Sequence, residues 1–231
     1  SSDLPRRAGG ICGSLAIERS AKLLRFYVGK GAIPYGDHHP WIENHDDNGK
    51  CGMAAVLFNL LNEKNGAEFF SRMSVASHGP ERDTGHTGNF FNVLWAMPGV
   101  ALSGQHATGA WMQEFGAWYF DLARQWDGSF PHQGPPENGK DSYAGWDCTG
   151  CYLLAYAMPL KKIMLTGKQP SAAPQLDAAT AQSLGAGAPD SFNVYGDEVM
   201  AAVQSTLGFS GAASWPRRRP GCWTPSGSRT G

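Results

Sequence analysis

Residues 50–62 read KCGMAAVLFNLLN, a glycine-containing turn followed by an apolar run of helical length. The run is apolar on nearly every side, which is typical of a helix buried on both faces. Comparable units recur along the chain, and their glycines stand at positions Gly13, Gly52, Gly88 and Gly150. A spacing of about 37 residues suits one helical hairpin, and the longer last step suits a hairpin with an insertion. The repeat therefore predicts an array of helical hairpins.

Two classes of predicted helix alternate along the chain. The inner helices are apolar nearly all round and cover residues 53–62, 90–97 and 152–164. The outer helices mix charged and aromatic side chains, keep one face in water, and cover residues 14–28, 67–77 and 110–125. Pro98 and Pro159 are expected to kink or end their helices. No run alternates as a half-buried strand does, so we predict an all-α fold with little β structure.

Charge and hydropathy restrict the partners. The 19 Lys and Arg against 20 Asp and Glu give a net charge of -1, so the chain lacks the basic footprint of a nucleic-acid binder. No stretch approaches 18 consecutive apolar residues, so we expect no membrane partner. The expected partner is a small-molecule or glycan substrate.

The composition divides the chain into three parts. Residues 1–165 carry the repeated helical units. Residues 166–213 are rich in Ala, Gly, Ser and Pro, with short helices expected at 177–184 and 197–207. Residues 214–231 show no periodicity, and we interpret them as a disordered tail of artificial or frame-shifted origin.

One segment carries a recognisable motif. Residues 116–130 read GAWYFDLARQWDGSF, an aromatic-rich helix end with Gln125, followed by a turn with Gly128 and Phe130. The segment resembles the Gln-Trp repeat of terpenoid cyclases, in which a Gly-x-aromatic turn leads from an outer helix to the next inner helix. Phe130 stands where that family usually has Trp. Residues 23–36 (LLRFYVGKGAIPYG) keep the aromatic helix and the glycine turn but lack the Gln.

The resemblance implies an α/α toroid, the fold of terpenoid cyclases, protein prenyltransferases and lanthipeptide cyclases, over roughly residues 10–165. A full toroid has more hairpins than the three or four counted here. We therefore expect an incomplete ring, which a second copy of the chain would complete. The acidic motif with which terpenoid cyclases protonate an alkene is not matched, so that activity is not transferred.

Four other aromatic side chains are assigned to structure. Trp126 and His132 flank the turn of the motif and are expected to support it. Trp95 and Trp111 lie in predicted helices and are expected to pack in the core.

In a toroid, the residues just before the inner helices face a common mouth. Helix N-termini there present partial positive charge and free N–H groups. The candidate catalytic residues at these positions are Cys51, His86, Cys148, Asp47 and Asp147. The candidate substrate-binding residues are Trp41, Lys50, Trp146 and His45.

Two catalytic mechanisms fit these residues. In the first, a helix end favours the thiolate of Cys51 or Cys148, which acts as a nucleophile with His86 as base and Asp47 or Asp147 orienting the imidazole.

In the second mechanism, Asp46 and Asp47 act with His86 as general acid and base. Either mechanism predicts a hydrolase for a glycan, ester or phosphoester. A non-catalytic binding module that keeps the toroid as a scaffold is an alternative, because a fold does not determine its function.

The prenyltransferase resemblance implies a further alternative, a zinc-dependent transferase or cyclase. Those enzymes bind zinc with Asp, Cys and His side chains, and His86, Asp147 and Cys148 are similar in type. In this sequence the Asp and Cys adjoin, whereas the family has one residue between them, and the order along the chain is reversed. The cofactor expected is thus either none or Zn²⁺.

Cys148 and Cys151 form a single C-x-x-C among five cysteines. This spacing signals a metal or redox site only weakly, and small buried residues at packing positions explain it equally well.

Overall fold

The computed structural model describes residues 13–36, 39–42, 45–77, 81–82, 90–132, 145–160 and 170–184. Within these ranges the protein is helical and contains no strand, only two isolated β-bridges, Ala32–Trp41 and Pro131–Asp147. The prediction of an all-α fold with little β structure is confirmed for these ranges. No helix in them has the length and apolar character needed to cross a membrane.

The helices follow the predicted inner and outer segments. They are α1 (Ser14–Tyr27), α2 (Lys50–Leu60), α3 (Lys64–Ala76), α4 (Phe90–Ala101), α5 (Gln105–Phe115), α6 (Thr149–Ala157) and α7 (Ala178–Leu184). Helix α5 continues through a π-helical turn, Gly116–Phe120, into a last α-helical turn, Asp121–Ala123. Helix α6 passes into a 3₁₀ turn, Met158–Leu160, that contains Pro159, so this proline ends its helix as predicted. Pro98 lies inside α4, which continues beyond it.

The predicted inner helices are neighbours in space. Helix α4 packs against both α2 and α6. Helix α3 packs on α2 and α4, α5 packs on α4, and α7 contacts α3 and α5. This order is expected of consecutive hairpins with inner and outer helices, and its closure into a toroid stays a prediction.

Close packing between α2 and α4 requires glycine. A Cβ atom on Gly52 would lie 2.2 Å from the carbonyl oxygen of Trp95, and one on Gly99 would lie 2.6 Å from the Cα of Gly52. The turn before α2 is made instead by Asn48 and Gly49, whose φ angles are 53° and 70°. The prediction that the repeated glycine forms the turn is therefore wrong in this unit, because Gly52 lies in the first turn of α2 as a packing residue.

The turn that resembles a Gln-Trp repeat has the expected local geometry. The Gln125 side-chain amide donates to the carbonyl of Ala123 at 3.3 Å, and Gly128 has a φ of 85°. Phe130 is buried against Tyr152. Trp126 is 97% exposed, so the expectation that it supports the turn is wrong.

Two apolar cores stabilise the helices. One lies among α1, α2 and α3 and includes Phe58 and Phe70. The other lies among α4, α5, α6 and α7 and includes the predicted core residue Trp111. Leu176, before α7, belongs to this second core and its N–H donates to the carbonyl of Ser103 at 2.9 Å. The predicted helix at 197–207 and the tail at 214–231 lie outside the described residues.

The glycine contact gives the first testable prediction. Gly52→Ala should lower the free energy of unfolding by at least about 2 kcal/mol, because the added methyl group meets backbone atoms that have no room to move. Gly109→Ala is the matched control: Gly109 lies in α5 with nothing within 4 Å of a Cβ, so its helix should gain up to about 1 kcal/mol. Urea denaturation of both variants measures this, and equal stabilities would contradict it.

Candidate functional site

The N-terminal ends of α2, α4 and α6 lie at the same end of the molecule. The N–H of Gly49, before α2, donates to Oδ1 of Asn92 in α4 at 2.7 Å. At the first residue of α4, the ring of Phe90 lies edge-on to that of His132, with 6.0 Å between centroids. The N–H of His132 donates in turn to the carbonyl of Trp146, just before α6. We call this end of the molecule, formed by residues 46–50, 90–92 and 146–149, the helix-start face.

A buried ion pair fixes the loop that leads into α2. Oδ2 of Asp46 lies 3.1 Å from Nη1 of Arg82, and both side chains are buried. Oδ1 of Asp46 accepts a hydrogen bond from the N–H of Cys51 in the first turn of α2 at 2.9 Å. Both oxygens of Asp46 are thus engaged and out of contact with solvent, and its acid–base role stays a prediction.

Arg82 also binds the end of α3. Its Nη2 donates to the carbonyl of Ser74 at 2.6 Å, and its Nε donates to the carbonyl of Ser77 at 3.3 Å. Its Nη1 donates in addition to the carbonyl of Asn92 at 3.1 Å. A cation at the C-terminal end of a helix is favourable because the last carbonyls carry partial negative charge. One guanidinium therefore connects the end of α3 with the starts of α2 and α4.

His45 belongs to the same buried network. Its Nδ1 lies 3.1 Å from Oε2 of Glu81, and its backbone N–H donates to the same oxygen at 3.2 Å. Asn92 joins the network by donating from Nδ2 to the carbonyl of Glu81 at 3.0 Å. Both His45 and Glu81 are buried. The imidazole is thus enclosed by protein, and a substrate-binding role for His45 stays a prediction.

Asp47 and Lys50 remain in contact with solvent. Oδ1 of Asp47 accepts from the side-chain amide of Asn48 at 2.9 Å, and Oδ2 lies 2.9 Å from Nζ of Lys50. The Lys50 ammonium also lies 4.5 Å from the centre of the Tyr35 ring. The Asp47 carboxylate is thus held at the start of α2 by an amide and an ammonium. Trp41, a predicted substrate-binding residue, is partly buried and packs against the core among α1, α2 and α3.

The predicted nucleophiles are buried thiols. Burial raises the pKa of Cys51 well above its ordinary value, and the nearby charge of Asp46 raises it further. Burial raises the pKa of Cys148 to about 11, with smaller contributions from Cys151 and Asp147. The helix N-termini were expected to favour thiolates, but loss of hydration outweighs them at both positions.

Asp147 caps α6 and is exposed. Its Oδ1 accepts from the N–H of Thr149 at 2.9 Å, and the hydrogen bonds from Thr149 lower the pKa of the carboxyl group. The neighbouring Trp146 is 59% exposed. Asp147 is therefore a carboxylate at neutral pH, and the residue before it in the sequence has an accessible indole ring.

The predicted zinc ligands are only partly described. His86 lies outside the described residues, four positions before α4 begins. In the part of the chain that the structure describes, no three His, Cys, Asp or Glu side chains form a group that could hold a metal ion. Asp147 serves as a helix cap and Cys148 is a buried thiol. The zinc site stays a prediction.

Three residues that organise this end of the molecule, Glu81, Arg82 and Asn92, were not predicted from the sequence. The ion pairs join positions 36 residues apart, and no spacing pattern connects them. The available signal was two adjacent charged residues, Glu81 and Arg82, in a loop rich in Gly and Pro, and a polar Asn92 in an otherwise apolar helix.

Comparison with known protein families finds a match for most of the chain. Residues 7–167 match the family model described as "Domain of unknown function (DUF6288)". No curated protein and no solved structure matches the chain.

The buried ion pair gives a second prediction. Asp46→Asn should lower the free energy of unfolding by about 3–5 kcal/mol, because it leaves the Arg82 guanidinium buried without its counter-ion. The control is Glu63→Gln, which breaks the exposed pair of Glu63 with Arg25 and should cost no more than about 1 kcal/mol. Urea denaturation at pH 7 measures both variants. A loss for Asp46→Asn no larger than that of the control would show that the pair does not hold the loop.

The thiols give a third prediction. Cys51 and Cys148 should react with iodoacetamide at pH 7.5 far more slowly in the folded protein than in urea, because both are buried and neither thiolate is favoured. Peptide mass spectrometry at timed intervals follows each cysteine separately. The partly exposed Cys151 serves as the internal reference. Rapid modification of Cys148 in the folded protein would restore it as a candidate nucleophile.

Proposed function

Since the chain belongs to the family described as "Domain of unknown function (DUF6288)", we propose a function from its own residues. The protein is a hydrolase that works by general acid–base catalysis at the helix-start face, with Asp47 and His86 as the catalytic pair. Its substrate is a glycan, ester or phosphoester. The observation that carries this proposal is the partly exposed Asp47 carboxylate, which is held at the start of α2 by Asn48 and Lys50.

Hydrolysis requires one group that takes a proton from water and another that protonates the leaving group. Both oxygens of the Asp47 carboxylate are hydrogen-bonded, so the group is already oriented to take the proton from water. Histidine changes its charge between about pH 5 and 8, so it suits the second task near neutral pH. His86 precedes α4 in the sequence, and the start of α4 is joined to the start of α2 by the bond between Gly49 and Asn92.

The helix starts supply electrostatic stabilisation. Hydrolysis of an ester or phosphoester develops negative charge on oxygen in the transition state. The first N–H groups of a helix and its dipole favour such charge. The meeting of α2, α4 and α6 at one end therefore supports catalysis at this face.

Cysteine catalysis is the less favoured mechanism. With a pKa of about 11, only about one Cys148 side chain in ten thousand is a thiolate at pH 7. Cys51 is fully buried. Asp47 has neither disadvantage, since its side chain reaches solvent and a carboxylate needs no activation to accept a proton.

Among the three substrate classes, the surface favours a glycan. Trp146 exposes an indole ring, and the next residue in the sequence, Asp147, exposes a carboxylate. The apolar face of a sugar packs on an aromatic ring, and its hydroxyl groups donate to carboxylates. Trp146 and Asp147 are thus proposed to bind substrate beside the catalytic pair.

The test is an activity screen of the full chain with chromogenic glycosides, esters and phosphoesters. Asp47→Asn should lower kcat/KM by about 10²–10⁴-fold, because Asn cannot accept the proton. His86→Gln should give a similar loss. Asp177→Asn is the matched control, because Asp177 directly precedes α7 and its Oδ1 accepts from the N–H of Thr180 in the first turn of that helix. Asn keeps this oxygen, so the activity of the variant should equal that of the wild type.

Melting temperatures of all variants check that they fold. Wild-type rates for Asp47→Asn, or no turnover of any substrate above the uncatalysed rate, would overturn the proposal. Stoichiometric zinc in the purified protein, with activity lost to a chelator, would replace it with the zinc-dependent alternative. Glycan binding without turnover would replace it with a binding module.

A further inference from the structure

Two cysteines occupy facing positions at the start of α6. Cys148 is the N-cap residue, with φ −106° and ψ 12°, and Cys151 is the third residue of the helix. In helices with a capping box, the side chains at these two positions reach each other's backbone across the first turn. Cα atoms three residues apart in a helix are about 5 Å apart, within the roughly 4.4–6.8 Å that disulfides span. The backbone at the start of α6 is therefore compatible with a disulfide between Cys148 and Cys151.

The helix surface between the two cysteines is open. Gly150 lies between the two cysteines, and nothing lies within 4 Å of the position of its Cβ. The third cysteine of the described residues, Cys51, belongs to the other apolar core, away from the start of α6. The local pair is thus favoured over pairing with Cys51.

We propose that Cys148 and Cys151 form a reversible disulfide that closes the first turn of α6, by exchange with a low-molecular-weight disulfide. This modification site is independent of the proposed hydrolase activity, because neither cysteine is needed for the catalytic pair. It assigns a chemical role to the C-x-x-C that catalysis leaves unused.

The exchange proceeds in two balanced steps. The thiol of Cys151, which is more exposed, loses its proton to solvent, and the thiolate attacks one sulfur of the small disulfide RS–SR. A mixed disulfide forms and one RS⁻ leaves. The Cys148 thiolate then attacks the sulfur of Cys151, the protein disulfide forms, and the second RS⁻ leaves. Two protein thiols are oxidised, one small disulfide is reduced, and both RS⁻ groups take up protons to become RSH.

The experiment equilibrates the full chain with reduced and oxidised glutathione at a series of ratios. The reaction is quenched with acid, remaining thiols are alkylated, and the peptides are mapped by mass spectrometry. The expected result is a peptide containing both Cys148 and Cys151 that carries no alkyl group and is two hydrogens lighter than the reduced peptide, and that dithiothreitol followed by alkylation converts to the doubly alkylated form. Cys51→Ser should give the same curve of oxidation against glutathione ratio.

Variants separate the two steps. Cys148→Ser should trap glutathione on Cys151, because the second thiol is missing and the mixed disulfide persists. The same chain in urea shows that the oxidation chemistry works in each sample. Full alkylation of Cys148 and Cys151 at every ratio in the folded wild type would overturn the proposal. Disulfides mapped from either cysteine to any other position would do so too.

Discussion

The buried guanidinium of Arg82 is the interaction on which the arrangement of the helix starts depends. A charge removed from water costs several kcal/mol unless it is paired and hydrogen-bonded. Here every nitrogen of the side chain finds an oxygen, from the Asp46 carboxylate to the carbonyls of Ser74 and Ser77. Such a group tolerates few alternative arrangements, so the loop before α2 and the end of α3 are held together. Asp47 owes its position to this loop, since it directly follows Asp46.

Ser74 connects this polar network with the closest helix contact. Its hydroxyl oxygen accepts from Nη2 of Arg82 at 3.1 Å and donates to the carbonyl of Ala96 in α4 at 3.2 Å. The same side chain lies against Gly99, where a Cβ would be 2.9 Å from its oxygen. The glycines let α2 and α4 approach, and the serine satisfies polar groups at their junction. Both features bring the N-terminal ends of α2 and α4 side by side, which is the geometry that the proposed catalytic pair requires.

Local features of the structure were predictable, and long-range ones were not. The helices follow from apolar runs and glycine turns, because these signals lie within a few residues of one another. Phe130 was predictable as the buried aromatic of its turn for the same reason. The ion pair of Arg82 with Asp46 joins positions that are distant in the sequence, and no periodic pattern connects them. Gly52 looked like a turn residue because a glycine beside a helix start is ambiguous until the partner helix is known.

The cysteines show a different limit of sequence reasoning. A helix N-terminus favours a thiolate, and this rule is local, but the cost of burial depends on what packs around the sulfur. At Cys51 the packing comes from α3 and the segment after α1, far along the chain. The sign of the pKa shift therefore follows from tertiary structure. Trp126 is the opposite case, a large apolar residue that the fold leaves in solvent.

The π-helical turn Gly116–Phe120, which follows α5, rotates the directions in which the later side chains of this helical segment point. A π turn holds one residue more than an α turn, so it offsets the succession of side chains by about 100° relative to an uninterrupted α-helix. With this offset, the consecutive residues Tyr119 and Phe120 are both buried against Tyr152 of α6, and the hydroxyls of Tyr119 and Tyr152 lie 2.7 Å apart. A homologue with one residue fewer in this segment would rotate the end of α5 away from α6. The number of residues between Gln105 and Gln125 therefore determines which side chains of this segment face α6.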